Sequence, residues 1–132
     1  EIQAALLSER LKVIERQNSE RVKIMKTFDQ ALPFLNPVPA LNGRIPHLYV
    51  VRPSDRENFR KFLLDNQIQT GVHYPIALPN HSYLKKYSIA EQFSVAENAC
   101  QKVVSLPCFP GMSDTHVEKI IDVCRQWESQ AS

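Results

Sequence analysis

The pattern of apolar and polar positions in the first quarter of the chain predicts one long helix from residue 1 to about residue 31. Apolar side chains recur there at helical spacing, at Leu7, Leu11, Ile14, Val22, Met25 and Phe28. No Ser, Thr, Asp or Asn precedes this helix as a cap, so we expect it to begin upstream and to connect from another domain. Pro33, Pro37 and Pro39 end the helix and predict an extended connector that reaches Gly43.

Three shorter segments have the composition of β-strands. Residues 47–52 (HLYVVR) are β-branched and aromatic on both faces, which predicts a central strand. Residues 68–74 (IQTGVHY) predict a second strand, which Pro75 ends. Residues 104–109 (VSLPCF) predict a third strand, and Pro107 favours an edge position for it because proline cannot donate to a strand ladder.

Helix starts are predicted between and after these strands. Ser54 with Glu57, and Ser94 with Glu97, have the spacing of capping boxes ahead of apolar periodic segments. Ser113 is the expected cap of a final amphipathic helix.

The order of helix, strand, helix, strand, helix, strand and helix predicts a small α/β (α+β) unit with about three strands packed with helices. We expect residues 1–31 to form the long connecting helix and residues 32–132 to form a small α/β domain. The chain has 132 residues, about the length of one domain, so a complete two-domain enzyme is not expected.

Charge and composition exclude several classes of function. The 16 Lys and Arg residues are interspersed with 14 Asp and Glu residues, which leaves a net charge of +2 and no field that would capture nucleic acid. No apolar run approaches the roughly 20 residues that span a bilayer, so no membrane partner is expected. The chain's 3 glycines stand far apart, which excludes glycine-rich phosphate-binding loops.

The cysteines predict neither a disulfide framework nor a metal site. The chain has 3 cysteines and no C-x-x-C motif, which suits a reducing compartment such as the cytoplasm. Potential ligands recur every eight residues, at Cys100, Cys108, His116 and Cys124. Eight residues of one helix separate His116 from Cys124 by about 12 Å, too far for both to bind one zinc ion.

The loop after the second predicted strand has the densest polar and aromatic cluster in the chain. Its members are Thr70, Gly71, His73, Tyr74, Pro75, Asn80 and His81. Histidine and tyrosine suit the orientation of a polar ligand at a strand end. From composition alone, a proline-bounded loop with satisfied polar side chains is the favoured interpretation of this cluster, and His47 is interpreted as a surface or packing residue.

Four segments in register resemble the DegT/DnrJ/EryC1/StrS family of pyridoxal-phosphate-dependent nucleotide-sugar aminotransferases. They are residues 1–7 (EIQAALL), residues 47–52 (HLYVVR), residues 70–75 (TGVHYP) with Pro79, and Ala96-Glu97 with Ser105-Leu106-Pro107. The resemblance covers essentially the whole chain in the family's order. One departure follows Pro75, where the chain has Ile76 and Ala77 and the family often has P-[IL]-P.

This resemblance implies the small C-terminal domain of a fold-type-I enzyme that moves an amino group, usually from glutamate, to a nucleotide-linked keto sugar. In the family, the large domain binds pyridoxal phosphate (PLP), and a lysine of that domain forms the Schiff base. No lysine here matches that motif, so we assign no catalytic, cofactor-binding or metal-binding residue to this chain. His73 and Tyr74 match the family loop that approaches the sugar, and they are the predicted substrate-binding residues.

The resemblance further implies a homodimer, and a fragment that is inactive alone. Two alternatives remain open from the residues. One is a free-standing α/β module that binds a metabolite or a protein partner. The other is a PLP-dependent sugar dehydratase of the same family, in which a histidine replaces a lysine that lies outside this chain.

Overall fold

The computed structural model describes residues 1–39, 43–87 and 93–131. The connector predicted between Pro33 and Gly43 includes residues 40–42, which lie outside the described residues. Its described part begins with a single turn of 3-10 helix, Pro33–Leu35.

The N-terminal segment forms two helices, so the prediction of one continuous helix is wrong. Helix α1 covers Ile2–Leu11 and helix α2 covers Ile14–Ala31. At the junction, the backbone N–H groups of Lys12 and Val13 donate to carbonyls only three residues back, at 3.2 Å each. This tightened turn ends α1, because it replaces the four-residue spacing that an α-helix requires.

Three further helices follow, and their caps differ in part from the prediction. Helix α3 covers Arg56–Asp65, α4 covers Ser94–Lys102 and α5 covers Asp114–Ala131. Asp55, not Ser54, caps α3 by accepting from the Asn58 backbone N–H at 3.1 Å. Ser94 lies inside α4 and is not its cap. Ser113 caps α5 as predicted, since its Oγ accepts from the backbone N–H of His116 at 3.2 Å.

The predicted α/β (α+β) class is confirmed, with a sheet smaller than expected. Strands β1 (Tyr49–Val51) and β2 (Val104–Leu106) pair antiparallel, with Val50 opposite Ser105. The predicted strand at 68–74 forms only an isolated bridge between Gly71 and Ser105. Two strands and this bridge therefore stand where about three strands were predicted.

The prediction of a central first strand and an edge strand at 104–109 is wrong, because the two have exchanged positions in the sheet. Strand β2 lies between β1 and Gly71, whereas β1 pairs with β2 alone among the described strands. The other side of β1 is hydrogen-bonded to loop backbone, where Val38 N–H donates to the Val50 carbonyl at 3.0 Å. Pro107 follows the last residue of β2, so its missing N–H removes no bond from the ladder and does not force an edge position.

A single apolar cluster joins α2, α3, α5 and one face of the sheet. The Phe28 and Tyr49 rings lie 5.0 Å apart between centroids, and Trp127 contacts Phe59 with an edge-on geometry at 5.6 Å. Buried side chains of the cluster include Ile24, Met25, Phe28, Leu32, Leu35, Val51, Phe59, Leu63, Val104, Leu106, Val117, Ile120, Ile121 and Cys124. Among the described residues, no helix is both long enough and apolar enough to cross a membrane.

One polar contact is built into this cluster. The Tyr49 hydroxyl donates to Asp29 Oδ1 at 2.9 Å, although the Tyr49 side chain is only 2% exposed. Burial, and then the hydrogen bond to Asp29, raise the pKa of the Tyr49 hydroxyl above its usual value. The hydroxyl therefore stays protonated and serves as a donor that ties β1 to α2.

Replacing Tyr49 with phenylalanine should lower the free energy of unfolding by about 1–3 kcal/mol, because it removes a hydrogen bond to a carboxylate. Denaturant unfolding followed by circular dichroism measures the change. The matched control is Tyr83→Phe, at a ring that is 62% exposed, which should alter the unfolding free energy by less than about 0.5 kcal/mol. Equal effects of the two variants would contradict a stabilising role of the Asp29 contact.

Candidate functional site

The candidate site begins on the face of the sheet opposite the apolar cluster. Successive side chains of a strand point to opposite faces, so Val104 and Leu106 face the cluster while Ser105 faces away from it. Ser105 is nevertheless only 4% exposed, which makes it a buried polar residue within the described part of the chain. A second layer of chain must therefore cover Ser105.

The loop that carries His73 forms this cover. His73 Nδ1 lies 3.0 Å from Ser105 Oγ, within hydrogen-bonding distance. The loop is held beside β2 by two backbone bonds, in which Ser105 N–H donates to the Gly71 carbonyl at 2.8 Å and Gly71 N–H donates to the Ser105 carbonyl at 3.1 Å. His73 and Ser105 are 32 residues apart in the sequence, and the β-bridge between Gly71 and Ser105 brings them together.

Gly71 provides the space that the His73 ring occupies. A Cβ atom at Gly71 would meet His73 Cε1 well inside van der Waals contact, and no backbone atom stands that close. The imidazole therefore lies directly over the Gly71 backbone, a close approach that only a residue without a side chain permits. Gly71 is a structural requirement for the position of His73.

Tyr74 completes the predicted pair of site residues. Its ring meets the His73 ring edge-on, with centroids 5.7 Å apart, and the peptide bond between the two residues is cis. Tyr74 is 72% exposed, so its hydroxyl is accessible to a ligand. The structure thus brings His73 and Tyr74 together, with His73 anchored to the sheet and Tyr74 projecting beyond it.

A groove of about 300 Å³ lies beside His73. Its lining includes Arg21 from α2, His47, Gln69, His73, Ser105 and Phe109. The sequence analysis interpreted His47 as a surface or packing residue, and it gave no role to Arg21, Gln69 or Phe109. These residues meet at the groove because segments that are distant in the sequence contact each other, and no local sequence pattern indicates such contacts.

Arg21 shapes one wall of the groove through backbone contacts. Its Nη1 donates to the carbonyl oxygens of Cys108, His47 and Pro46 at 2.8, 3.2 and 3.4 Å. Such charge-assisted bonds hold α2 against both the segment before β1 and the segment after β2. Since the guanidinium is engaged in this way, we interpret Arg21 as a clamp of the groove wall.

The remaining polar residues of the predicted cluster lie in other contacts. The Thr70 hydroxyl accepts from Arg60 Nε at 3.4 Å, and Asn80 donates to Glu97 Oε1 of helix α4 at 3.0 Å. His81 packs against the Tyr83 ring with centroids 5.9 Å apart. Of the predicted cluster, His73 and Gly71 line the groove, whereas Thr70, Asn80 and His81 lie in contacts elsewhere.

The thiols do not offer a nucleophile at this groove. Burial raises the pKa of the Cys108 thiol, and it raises the pKa of the Cys124 thiol to about 12, so both are protonated at neutral pH. Within the ranges 1–39, 43–87 and 93–131, no group of three or more His, Cys, Asp or Glu side chains is placed to hold a metal ion.

The described residues do not fit PLP. A PLP site needs a lysine for the Schiff base and donors for the phosphate. Lys12 pairs with Glu9, Lys23 pairs with Asp114 at 3.0 Å, and each of these lysine side chains is at least 66% exposed. At the groove, Arg21 Nη1 is bonded to three carbonyls and no described lysine lines the walls, so the groove offers no partner for the Schiff base.

Comparison with known proteins identifies relatives that match nearly the full length of this chain. The model of the DegT/DnrJ/EryC1/StrS aminotransferase family matches residues 1–125. A curated relative from Aneurinibacillus thermoaerophilus, dTDP-3-amino-3,6-dideoxy-alpha-D-galactopyranose transaminase, is 35% identical over 96% of this chain. The match covers 36% of the relative, so the chain spans about a third of that protein's length.

Solved structures agree with this comparison. DesV from S. venezuelae superposes with a TM-score of 0.86 at 27% identity, over 95% of this chain and 35% of DesV. A DegT DnrJ EryC1 StrS aminotransferase from Brucella abortus superposes with a TM-score of 0.87 at 27% identity, over 96% of this chain and 35% of that protein. The fold described above is therefore that of about one third of these larger proteins.

Replacing Gly71 with alanine should displace the His73 ring from Ser105, because the new methyl group would overlap with His73 Cε1. Two-dimensional NMR should show loss of the through-space contacts between the His73 ring protons and Ser105.

The matched control is Gly111→Ala. Gly111 has a φ of +85° and nothing within 4 Å of its added Cβ, so this variant strains the backbone without touching His73. It should lower stability and retain the ring contacts. Retained contacts in Gly71→Ala would show that Gly71 does not determine the ring position.

Proposed function

This chain belongs to the DegT/DnrJ/EryC1/StrS aminotransferase family, and from that membership we propose that it is the C-terminal part of a PLP-dependent transaminase of nucleotide-linked keto sugars. In this proposal, residues 1–31 connect to a larger domain and residues 32–132 form the small domain. The amino donor is glutamate, and the complete enzyme is a cytoplasmic homodimer that holds PLP outside this chain.

The observation that carries the proposal is the contact between His73, which lines the groove, and the exposed Tyr74 ring beside it. One ring of the pair is fixed against the buried Ser105 and the other is exposed. A sugar presents hydroxyl and carbonyl oxygens, which imidazole and phenol groups bind through hydrogen bonds. The two side chains therefore suit the orientation of a sugar, and the match of TGVHYP to the family motif supports that assignment.

The contribution of this chain to the reaction is binding and orientation. In the complete enzyme, PLP supplies the electron sink for amino transfer. His73 and Tyr74 hold the sugar by its oxygens, so that its keto carbon is presented to the part of the enzyme that carries the cofactor. Positioning of this kind contributes to rate because it lowers the entropic cost of bringing the reacting groups together.

Amino transfer is favoured over sugar dehydration by the curated relative from Aneurinibacillus thermoaerophilus, whose name is that of a transaminase. Membership of an aminotransferase family likewise favours an enzyme fragment over a free-standing binding module.

The 132-residue chain alone should show no saturable visible absorbance band on titration with stoichiometric PLP, because none of its described lysines lines the groove beside His73. The full-length protein should show a band that saturates at one PLP per chain. Far-UV circular dichroism of the isolated chain verifies that it is folded during the titration. A saturable band on the isolated chain would contradict the assignment of PLP to another part of the enzyme.

In the full-length protein, His73→Ala should lower kcat/KM for the keto sugar by about ten- to hundredfold, and Tyr74→Phe by about tenfold, since each removes hydrogen bonds to the substrate. PLP affinity should stay within about twofold of the parent, as measured by the same absorbance titration. His116→Ala and Tyr87→Phe are matched controls at exposed positions and should retain parental kinetics. Parental kinetics for His73→Ala and Tyr74→Phe would remove both residues from the sugar site.

A further inference from the structure

Ser105 combines burial with a fixed backbone. Its backbone N–H and carbonyl both bond to Gly71, at 2.8 and 3.1 Å, and its other side faces Val50 of β1 in the ladder. The side chain is 4% exposed, and its neighbours in β2, Val104 and Leu106, are at most 1% exposed. The Cα–Cβ direction of Ser105 is therefore set by the sheet and the core together.

The Ser105 hydroxyl carries one proton that needs an acceptor. A buried hydroxyl without an acceptor would lose hydrogen bonding that it makes in water, which costs free energy. His73 Nδ1 lies 3.0 Å from Ser105 Oγ, and the Ser105 backbone carbonyl already accepts from Gly71. If the Ser105 hydroxyl donates to His73 Nδ1, its proton has an acceptor. If Nδ1–H donates to the hydroxyl oxygen instead, the hydroxyl proton needs a different acceptor.

This direction of donation determines the form of the His73 ring. In neutral imidazole, one ring nitrogen accepts and the other carries the proton. When Nδ1 accepts from Ser105, the proton resides on Nε2. Gly71 leaves the space in which the Cε1 edge of the ring lies, and the contact with Ser105 orients the ring within that space.

We propose that Ser105 is a positioning residue that holds neutral His73 as an Nε2–H donor toward the groove, where it donates to an oxygen of the sugar. The role in turnover rests on the proposed function, whereas the protonated nitrogen of His73 can be tested without it. Ser105 acts through His73, because its fixed position in β2 sets the orientation of an exposed imidazole.

The first experiment is ¹⁵N NMR of the histidine side chains in the folded 132-residue chain, at a pH where His73 is neutral. The expected result is a single tautomer, with Nε2 protonated and Nδ1 unprotonated. In Ser105→Ala the two nitrogen resonances should move toward each other, as in an imidazole that exchanges between tautomers. A protonated Nδ1 in the parent, or unchanged resonances in Ser105→Ala, would overturn the proposal.

The second experiment measures sugar kinetics in the full-length enzyme. Ser105→Ala should lower kcat/KM by about tenfold, the effect of about one hydrogen bond. Ser105→Thr retains the hydroxyl and should recover most of that loss. In a His73→Ala background, Ser105→Ala should have no further effect, because the two residues act as one unit. Ser113→Ala, which removes the cap of α5, is the control for loss of a structural serine and should leave kcat/KM unchanged.

The outcomes separate this proposal from the proposed function. If His73→Ala impairs turnover and Ser105→Ala does not, or if their effects are additive, the positioning role is overturned and the sugar site stands. If His73→Ala has parental kinetics, the sugar role of His73 fails and the Ser105 role in turnover fails with it. Should Ser105→Ala not fold, Gly71→Ala displaces the same ring with the serine intact and should reproduce the kinetic loss.

Discussion

The structure depends on the constraint that three consecutive residues of β2 must face two different environments. Val104 and Leu106 are buried in the apolar cluster, and Ser105 points to the opposite face. A shift of register by one residue would put the hydroxyl into the cluster and two aliphatic side chains into the groove. Burial of Val104 and Leu106 therefore fixes the register, and that register fixes the direction of the Ser105 hydroxyl.

Contacts between distant segments extend this constraint to the groove walls. Gly71 pairs with Ser105, so the loop that leads to His73 and Tyr74 starts from a fixed point on β2. On the other wall, Arg21 bonds to carbonyls before β1 and after β2. Helix α2 in turn packs Phe28 against Tyr49 of β1. The groove therefore lies between elements that the core holds at both sides.

The sequence predicts the elements whose signals are local. The final helix has its cap, Ser113, directly ahead of an apolar stripe, and the structure agrees. The break at Lys12 and Val13 has no proline or glycine to mark it, and the apolar spacing resumes after it, so periodicity alone predicts a continuous helix. The segment at 68–74 has strand composition, but only Gly71 finds a ladder partner, because composition does not specify which backbone lies alongside.

In the candidate site, too, the sequence indicates residues that are adjacent in the chain but not their distant partners. His73 and Tyr74 are adjacent in the chain and belong to a recognisable motif, so the sequence identifies them together. The partner of His73 is 32 residues away, and Arg21 reaches a carbonyl 87 residues away. Such contacts arise only when the core has assembled. The core of this chain thus sets the position of an imidazole at its surface, through a serine that is distant in the sequence.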